Sequence, residues 1–325
     1  MPSLRVLEPG LHTTVQDLGR RGYGAIGVPP SGAADSLSLI IGNRLLGNED
    51  GAAALECTVL GPRVVVEMDT WVCLCGAGCP AARIDGGDGE RSLPMGDPVW
   101  VRSGEAIHVG GTSDGCRAYL CVAGGVAVAP VLGSRSTFVG GRFGGHAGRV
   151  LRSGDAVPMR VGAGGCRAGF RDLSEWHRSR RDRRVLRAVT SLHADRFPAG
   201  ALEMFASTAF VVQPRSDRVG IRLDGSRVPV PGGVGSFESE PTVVGGVQIT
   251  ADGLPIVLGP DRPTTGGYPL LACVIEADLP ATAQLCPGDS VRFELVSIDH
   301  GRGVGVGARR ELDALLPPGR NGLGA

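Results

Sequence analysis

Apolar positions along this chain fall in short runs. Leu254-Pro-Ile-Val-Leu258 and Leu270-Leu-Ala-Cys-Val-Ile275 flank a turn, and Trp71-Val-Cys-Leu-Cys75 alternates with the two-residue period of a strand. Glycine and proline, 53 and 23 residues, punctuate these runs throughout. The pattern predicts a mainly β chain of many short strands joined by tight turns. The block Gly-Asp-x-Val occurs at 96–99, 154–157 and 288–291, each time ahead of apolar residues, so each reads as a turn feeding a strand. Its repetition is what two related barrel-like units would produce.

One segment breaks the strand pattern. In Ser36-Leu-Ser-Leu-Ile-Ile-Gly-Asn-Arg-Leu-Leu46 the apolar residues Leu37, Ile40, Ile41 and Leu45 recur at helical spacing, with Asp35 as N-cap and Gly47 as stop. A shorter helical pattern spans Pro280 to Leu285. Gly162-Ala-Gly-Gly165 and the arginine-dense run Arg178 to Arg184 mark a boundary. The expected organisation is an N-terminal β domain over 1–165, an arginine-rich linker over 166–187, a C-terminal β-barrel over 188–312 and a disordered tail over 313–325. The arginine run reads as a solvated linker or as a basic patch for an acidic partner.

Composition narrows the function. The 33 basic residues balance 33 acidic ones, so no global field draws the chain to nucleic acid or to an anionic membrane. No apolar run reaches the roughly 20 residues that cross a bilayer and no secretory leader is visible, which makes the cytoplasm the expected compartment. Every basic residue is arginine. Without lysine there is no Schiff base, no biotinyl-lysine and no Walker-type phosphate loop. Nine cysteines, an odd number without a framework spacing, and six isolated histidines point to reduced, mostly structural side chains rather than a metal site.

Candidate chemistry gathers in four places. Gln16-Asp-Leu-Gly-Arg20 sets an amide, a carboxylate and a guanidinium beside a glycine turn: either Asp17 and Arg20 brace that turn, or Arg20 offers its fork of donors to an anion while Asp17 orients it. Ser31 lies just ahead of the predicted helix, whose N-terminal amides suit an anion, although Asp35 occupies some of them. Ser216-Asp-Arg-Val-Gly220 repeats the first set with Asp217 and Arg218, or is a plain β-turn. Asp261-Arg-Pro-Thr-Thr-Gly-Gly-Tyr-Pro269 supplies hydroxyls from Thr264, Thr265 and Tyr268 beside glycines that admit a ligand closely, as an oxyanion or amide cradle requires. No Ser-His-Asp or Cys-His triad assembles from local motifs.

These blocks, together with Val131-Leu-Gly-Ser-Arg-Ser-Thr137 and Gly140-Gly-Arg-Phe-Gly-Gly145, are spread along nearly the whole chain and resemble the biotin-dependent carboxyltransferase-like family, which includes the C subunit of bacterial 5-oxoprolinase. The resemblance implies a two-part β protein with cyclophilin-like barrels. It implies ATP-driven opening of the 5-oxoproline lactam to glutamate, with ATP shared with a partner subunit, no biotin on this chain, and the A and B subunits of 5-oxoprolinase as partners. It further implies a site in a cleft between the halves. There Arg20 and Arg218 hold anionic groups, Asp17 and Asp217 orient them, and Gln16, Ser31, Thr264, Thr265 and Tyr268 contact the amide. The family pattern has glutamine ahead of Thr-Thr-Gly-Gly-Tyr-Pro, where this chain has Pro263, which lacks both that amide and a backbone N–H. The same motifs are compatible with carboxyl transfer from carboxybiotin on another chain, or with a regulatory protein that antagonises a kinase inhibitor.

Overall fold

The computed structural model describes residues 1–162, 170–231 and 238–318. Among them the chain is mainly β, with helices α1 (Ser36–Leu45), α2 (Phe170–Arg181), α3 (Ala201–Ser207), α4 (Leu279–Ala283) and α5 (Ile298–Leu315). It forms two compact units, one of Met1–Arg20, Ser31–Arg178 and Leu312–Ala325, the other of Arg21–Pro30 and Ser179–Glu311. No described helix is long and apolar enough to cross a membrane.

In the first unit alternation splits the strands into two antiparallel sheets. One runs Ala156–Pro158, Ser3–Glu8, Arg63–Val66, Ala106–His108, Arg83–Gly86, Gly89–Ser92, and the other His12–Gln16, Ala54–Thr58, Arg117–Val122, Thr70–Gly76, Val99–Val101. Leu4, Val64 and Ile107 of the first sheet share a core with Val15, Leu55, Leu74 and Leu120 of the second. On the far side of the second sheet, α1 buries Leu39, Ile41 and Leu45 against Cys73, Cys75, Tyr119 and Cys121. The helix is capped as its sequence requires: Asp35 accepts from the Ser38 amide at 3.0 Å and Gly47 takes a φ of +71°. The cysteines are small apolar side chains here: burial pushes the Cys79 thiol up to about 12 and the Cys121 thiol well above its ordinary value, and the hydrogen bond with Cys75, together with burial, does the same for Cys73.

The second unit is a closed barrel, Val185–Thr190, Leu270–Val274, Gly246–Ile249, Pro255–Leu258, Gly220–Asp224, Phe210–Val212, Ser290–Leu295. A parallel pair, Val185 opposite Arg292, joins its ends. Inside, Phe205 of α3 stacks on Phe293 at 4.4 Å, with Phe210 edge-on at 6.1 Å from Phe293. All three Gly-Asp-x-Val blocks are turns into strands, and Gly96, Gly154 and Gly288 each hold a positive φ.

The structure departs from the expected linker and tail. Residues 170–181 form α2, and arginines at its end and beyond pair within the second unit: Arg180 with Glu311 at 2.6 Å, Arg184 with Asp289 at 3.2 Å and Arg187 with Asp278 at 2.6 Å. Arg180 and Arg184 of the basic run are therefore matched by carboxylates of their own unit. In place of the early part of a disordered tail, Arg44, fully buried, donates to Asp313 at 2.8 Å and to the Leu316 carbonyl at 2.7 Å, with Leu312 and Leu316 in the α1 core. Residues 319–325 lie outside the described residues. Helix α5 was hidden by Gly301, Gly303, Gly305 and Gly307, each costing about 1 kcal/mol against alanine. At Gly301 a Cβ would lie 2.9 Å from Ile275, which accounts for one of the four.

Candidate functional site

Each unit gathers its own share of the motifs. In the first unit the strand His12–Gln16 delivers Gln16 and Asp17 into a loop that meets the 131–148 segment. Asp17 is the hub. Its carboxylate accepts from the Ser134 and Ser136 hydroxyls (2.6 and 2.5 Å), from the Gly19 amide (2.7 Å) and from the Arg135 amide (2.6 Å). Arg20, 2% exposed, donates from Nε to the Val131 carbonyl at 3.4 Å and from Nη2 to the Ser136 carbonyl, and lies 5.1 Å over the Phe143 ring. Asp17 and Arg20 thus each grip the same distant loop. The two readings of this pair, brace and anion holder, meet in a guanidinium whose Nε and Nη2 donate to backbone carbonyls.

The loop ahead of α1 closes on this junction from another side. The Ala33 amide donates to the Asp17 carbonyl at 2.8 Å, and a Cβ at Gly32 would stand 2.7 Å from the Gly19 nitrogen, so only glycine fits there. Beneath the loop, Glu56 Oε2 accepts from the Ala34 amide (2.9 Å) and the Tyr119 hydroxyl (2.8 Å), and burial pushes the Tyr119 phenol well above its ordinary value. Gln16 Oε1, Ser31 Oγ and Arg135 Nε at the junction are among the buried polar atoms with no hydrogen-bond partner among the described residues. Among the described residues five non-glycine residues have positive φ, and four of them (Ser31, Leu132, Arg142 and Ala147) lie in these loops. Strain of that kind costs about 1–3 kcal/mol per residue and concentrates at functional sites.

In the second unit Asp217 caps its turn, accepting from the Val219 and Gly220 amides at 2.8 and 3.1 Å. Arg218 forms a two-pronged pair with Asp261 (2.7 and 3.2 Å), both side chains 7% exposed, and so anchors the start of the 261–269 loop. That loop then pairs with a short strand, Gly266 opposite Glu240 and Thr265 opposite Pro241, while the Thr264 carbonyl accepts from the Thr242 amide at 3.0 Å and the Pro263 carbonyl from the Thr242 hydroxyl. Proline at 263 leaves this bond intact, since it needs only a carbonyl. Beside the arm a solvent-open cavity of about 380 Å³ is lined by His193, Glu240, Thr242, Gln248, Gly266 and Tyr268, among others. Gln248 Nε2 donates to the Tyr268 carbonyl at 3.2 Å, and His193 Nε2 lies 3.0 Å from Glu240 Oε2. Arg262, whose guanidinium is held below its ordinary pKa by burial, donates to the Thr242 carbonyl at 3.0 Å.

The structure therefore brings together Gln16, Asp17, Arg20 and Ser31 in one unit, and Asp217, Arg218, Thr264, Thr265 and Tyr268 in the other. Tyr268 lines the cavity, and Thr264 and Thr265 lie on the arm that borders it. Sequence reasoning missed His193 and Glu240, which are 47 residues apart and share no local motif. The signal that finds them is the strand register that sets Glu240 opposite Gly266.

Residues 26–295 match the family model described as carboxyltransferase domain, subdomain A and B. The chain belongs to this carboxyltransferase-domain family. Within it, the chain is similar to the 5-oxoprolinase C subunit of Escherichia coli, 34% identical over 298 residues that span 91% of this chain and 92% of that one. It is 32% identical over 330 residues to the urea amidolyase of Saccharomyces cerevisiae, covering 93% of this chain but only 17% of that protein's length. The crystal structure of the Kluyveromyces lactis urea amidolyase superposes with a TM-score of 0.85 at 30% identity, over 99% of this chain and 20% of that one. This carboxyltransferase domain thus corresponds to nearly all of one relative and to a fifth or less of the others.

Proposed function

We propose that this chain is a subunit of an ATP-dependent 5-oxoprolinase, opening 5-oxo-L-proline to L-glutamate together with companions equivalent to the A and B subunits of that enzyme. The observation that carries this reading is the near end-to-end correspondence: the match to the E. coli C subunit covers 91% of this chain and 92% of that protein. Partner dependence follows from the chemistry on hand. Among the described residues the motif guanidiniums are engaged, Arg20 by carbonyls and Arg218 by Asp261, and lysine is absent, so neither motif presents a phosphate cradle. ATP accordingly belongs with a companion subunit, and this chain contributes substrate contacts and proton handling. Ser31 Oγ and Gln16 Oε1, buried and unpartnered, serve the substrate, with Asp17 and Arg20 holding the loops that present them. Arg218 and Asp217 position the 261–269 arm, where Thr264, Thr265 and Tyr268 contact the amide.

The test is glutamate release from 5-oxoproline by the purified chain with ATP, with and without the companion subunits. Release in the complete mixture alone, lost on Arg20→Ala or Thr265→Ala in a complex that still assembles, is the expected result. Assembly without release transfers the reading to the second candidate, carboxyl transfer to an amide. The superposition over 99% of this chain on a urea amidolyase favours that candidate, for which the expected result is carboxyl transfer that requires a biotin carrier and is lost on addition of avidin.

A further inference from the structure

The cavity beside the 261–269 arm contains an acid–base pair that no motif announced. His193 Nε2 and Glu240 Oε2 are 3.0 Å apart, with the imidazole 22% and the carboxylate 46% exposed, so the pair is supported by protein on one side and reachable from the cavity on the other. Its geometry is held from both ends. Glu240 sits on a strand in register with Gly266. The His193 backbone amide donates to Ser191 Oγ at 3.0 Å, and Ser191 is tied to the barrel strand Leu270–Val274 by its hydroxyl to the Leu270 carbonyl and its amide to the Leu271 carbonyl at 3.0 Å. The other titratable or charged groups around it are Glu238 and Tyr268 on the cavity wall and Asp195 and Arg196 on the same turn. The neutral polar side chains nearby, Thr242 and Gln248, each donate one hydrogen within the protein, which leaves the Thr242 oxygen as an acceptor and the second Gln248 amide hydrogen as a donor for a compact polar ligand rather than an apolar one.

We propose that His193 and Glu240 move the proton on the nitrogen of a small amide bound in this cavity, His193 as the transferring group and Glu240 as its orienter and counter-charge. The inference rests on the amide-substrate reading above. In ring opening, once ATP has phosphorylated the amide oxygen, a C–O bond forms to water and the C–N bond breaks, and the acyl phosphate left behind is hydrolysed to carboxylate and phosphate. Water gives up one proton to the neutral imidazole, and the imidazolium returns a proton to the departing nitrogen, so the pair ends as it began. In carboxyl transfer from carboxybiotin on another chain the traffic runs the other way: the amide nitrogen yields its proton to the imidazole as its bond to the carboxyl carbon forms, the N–C bond of carboxybiotin breaks, and the imidazolium returns the proton to the departing biotin nitrogen. One imidazole held by one carboxylate serves either direction.

The experiment uses the assembled complex with His193→Ala, His193→Gln and Glu240→Gln. Turnover of 5-oxoproline is expected to fall by about 10² in kcat or more for the His193 variants with KM within about threefold, with partial rescue of His193→Ala by added imidazole. Glu240→Gln is expected to move the limb of the pH–rate profile that His193 sets, an effect that a purely structural contact does not produce. Unchanged kcat in folded variants, judged by an unaltered thermal melt, overturns the proposal. If the wild-type complex turns over no amide, the functional reading has failed on its own and the pair is read directly. The His193 imidazole resonances are then followed by NMR while 5-oxoproline or urea is added. A shift that Glu240→Gln abolishes supports the pair as the amide's proton partner, and no shift with either probe overturns it.

Discussion

Asp17 shows how much one carboxylate can organise. It accepts four hydrogen bonds, three of them from residues 134–136, more than a hundred positions away in the chain. Asp17→Ala leaves two buried hydroxyls and two amides without that acceptor, so we expect a loss of about 3 kcal/mol in chemical denaturation, with Arg20 losing its seat as the loop relaxes. Asp155 makes a separate, pH-dependent contribution. The Arg149 guanidinium, at 2.7 and 2.8 Å, holds its carboxyl down to about 2, assisted by the Arg152 amide. Because the folded pKa lies below the unfolded one, the stabilisation is complete above about pH 4 and disappears as pH falls from about 4 to about 2. Asp155→Asn is expected to flatten the acid limb of the stability curve over that window and to lower stability at neutral pH by about 2 kcal/mol. A mutant curve parallel to wild type between pH 4 and 2 would contradict this assignment.

At the scale of elements, α1 is the clearest case of sequence dictating structure, and also the tightest. Its apolar spacing, N-cap and glycine stop are all local, so they were legible before any fold was known. The turns built on Gly-Asp were legible for the same reason: a positive φ at glycine is a property of one residue. The junction around Asp17 and the pair His193–Glu240 were not, because each is produced by strand register and loop closure between positions tens to more than a hundred residues apart, which no periodicity records. Gly42 illustrates the limit from within a helix. Propensity favours alanine there by about 1 kcal/mol, but a Cβ would stand 2.7 Å from the Cys121 sulfur and 3.5 Å from that of Cys75. We expect Gly42→Ala to destabilise by roughly 1–2 kcal/mol through overpacking. Adding Cys121→Ala should recover much of the loss, a coupling on the order of 1 kcal/mol in a double-mutant cycle. Additive losses would show that the helix shifts instead.

For the whole molecule, the fold class followed from the strand pattern, whereas the true composition of the units did not. The first unit takes its last pieces from beyond residue 311, where Asp313 and the Leu316 carbonyl hold the buried Arg44 and Leu312 and Leu316 complete the α1 core. Ending the chain at Glu311 therefore deprives a buried guanidinium of two of its acceptors. Because such a loss typically costs several kcal/mol, the truncated chain is expected to show a lower melting temperature and faster amide exchange in α1. A truncated chain that melts like the full one would show those contacts to be dispensable. The same connectivity reverses the usual order of maturation during synthesis. Domains commonly fold from the N-terminal end as the chain leaves the ribosome. Here the unit that begins first is completed last, and its α1 core stays open to chaperones until residues 312–316 have followed the whole of the second unit out of the ribosome.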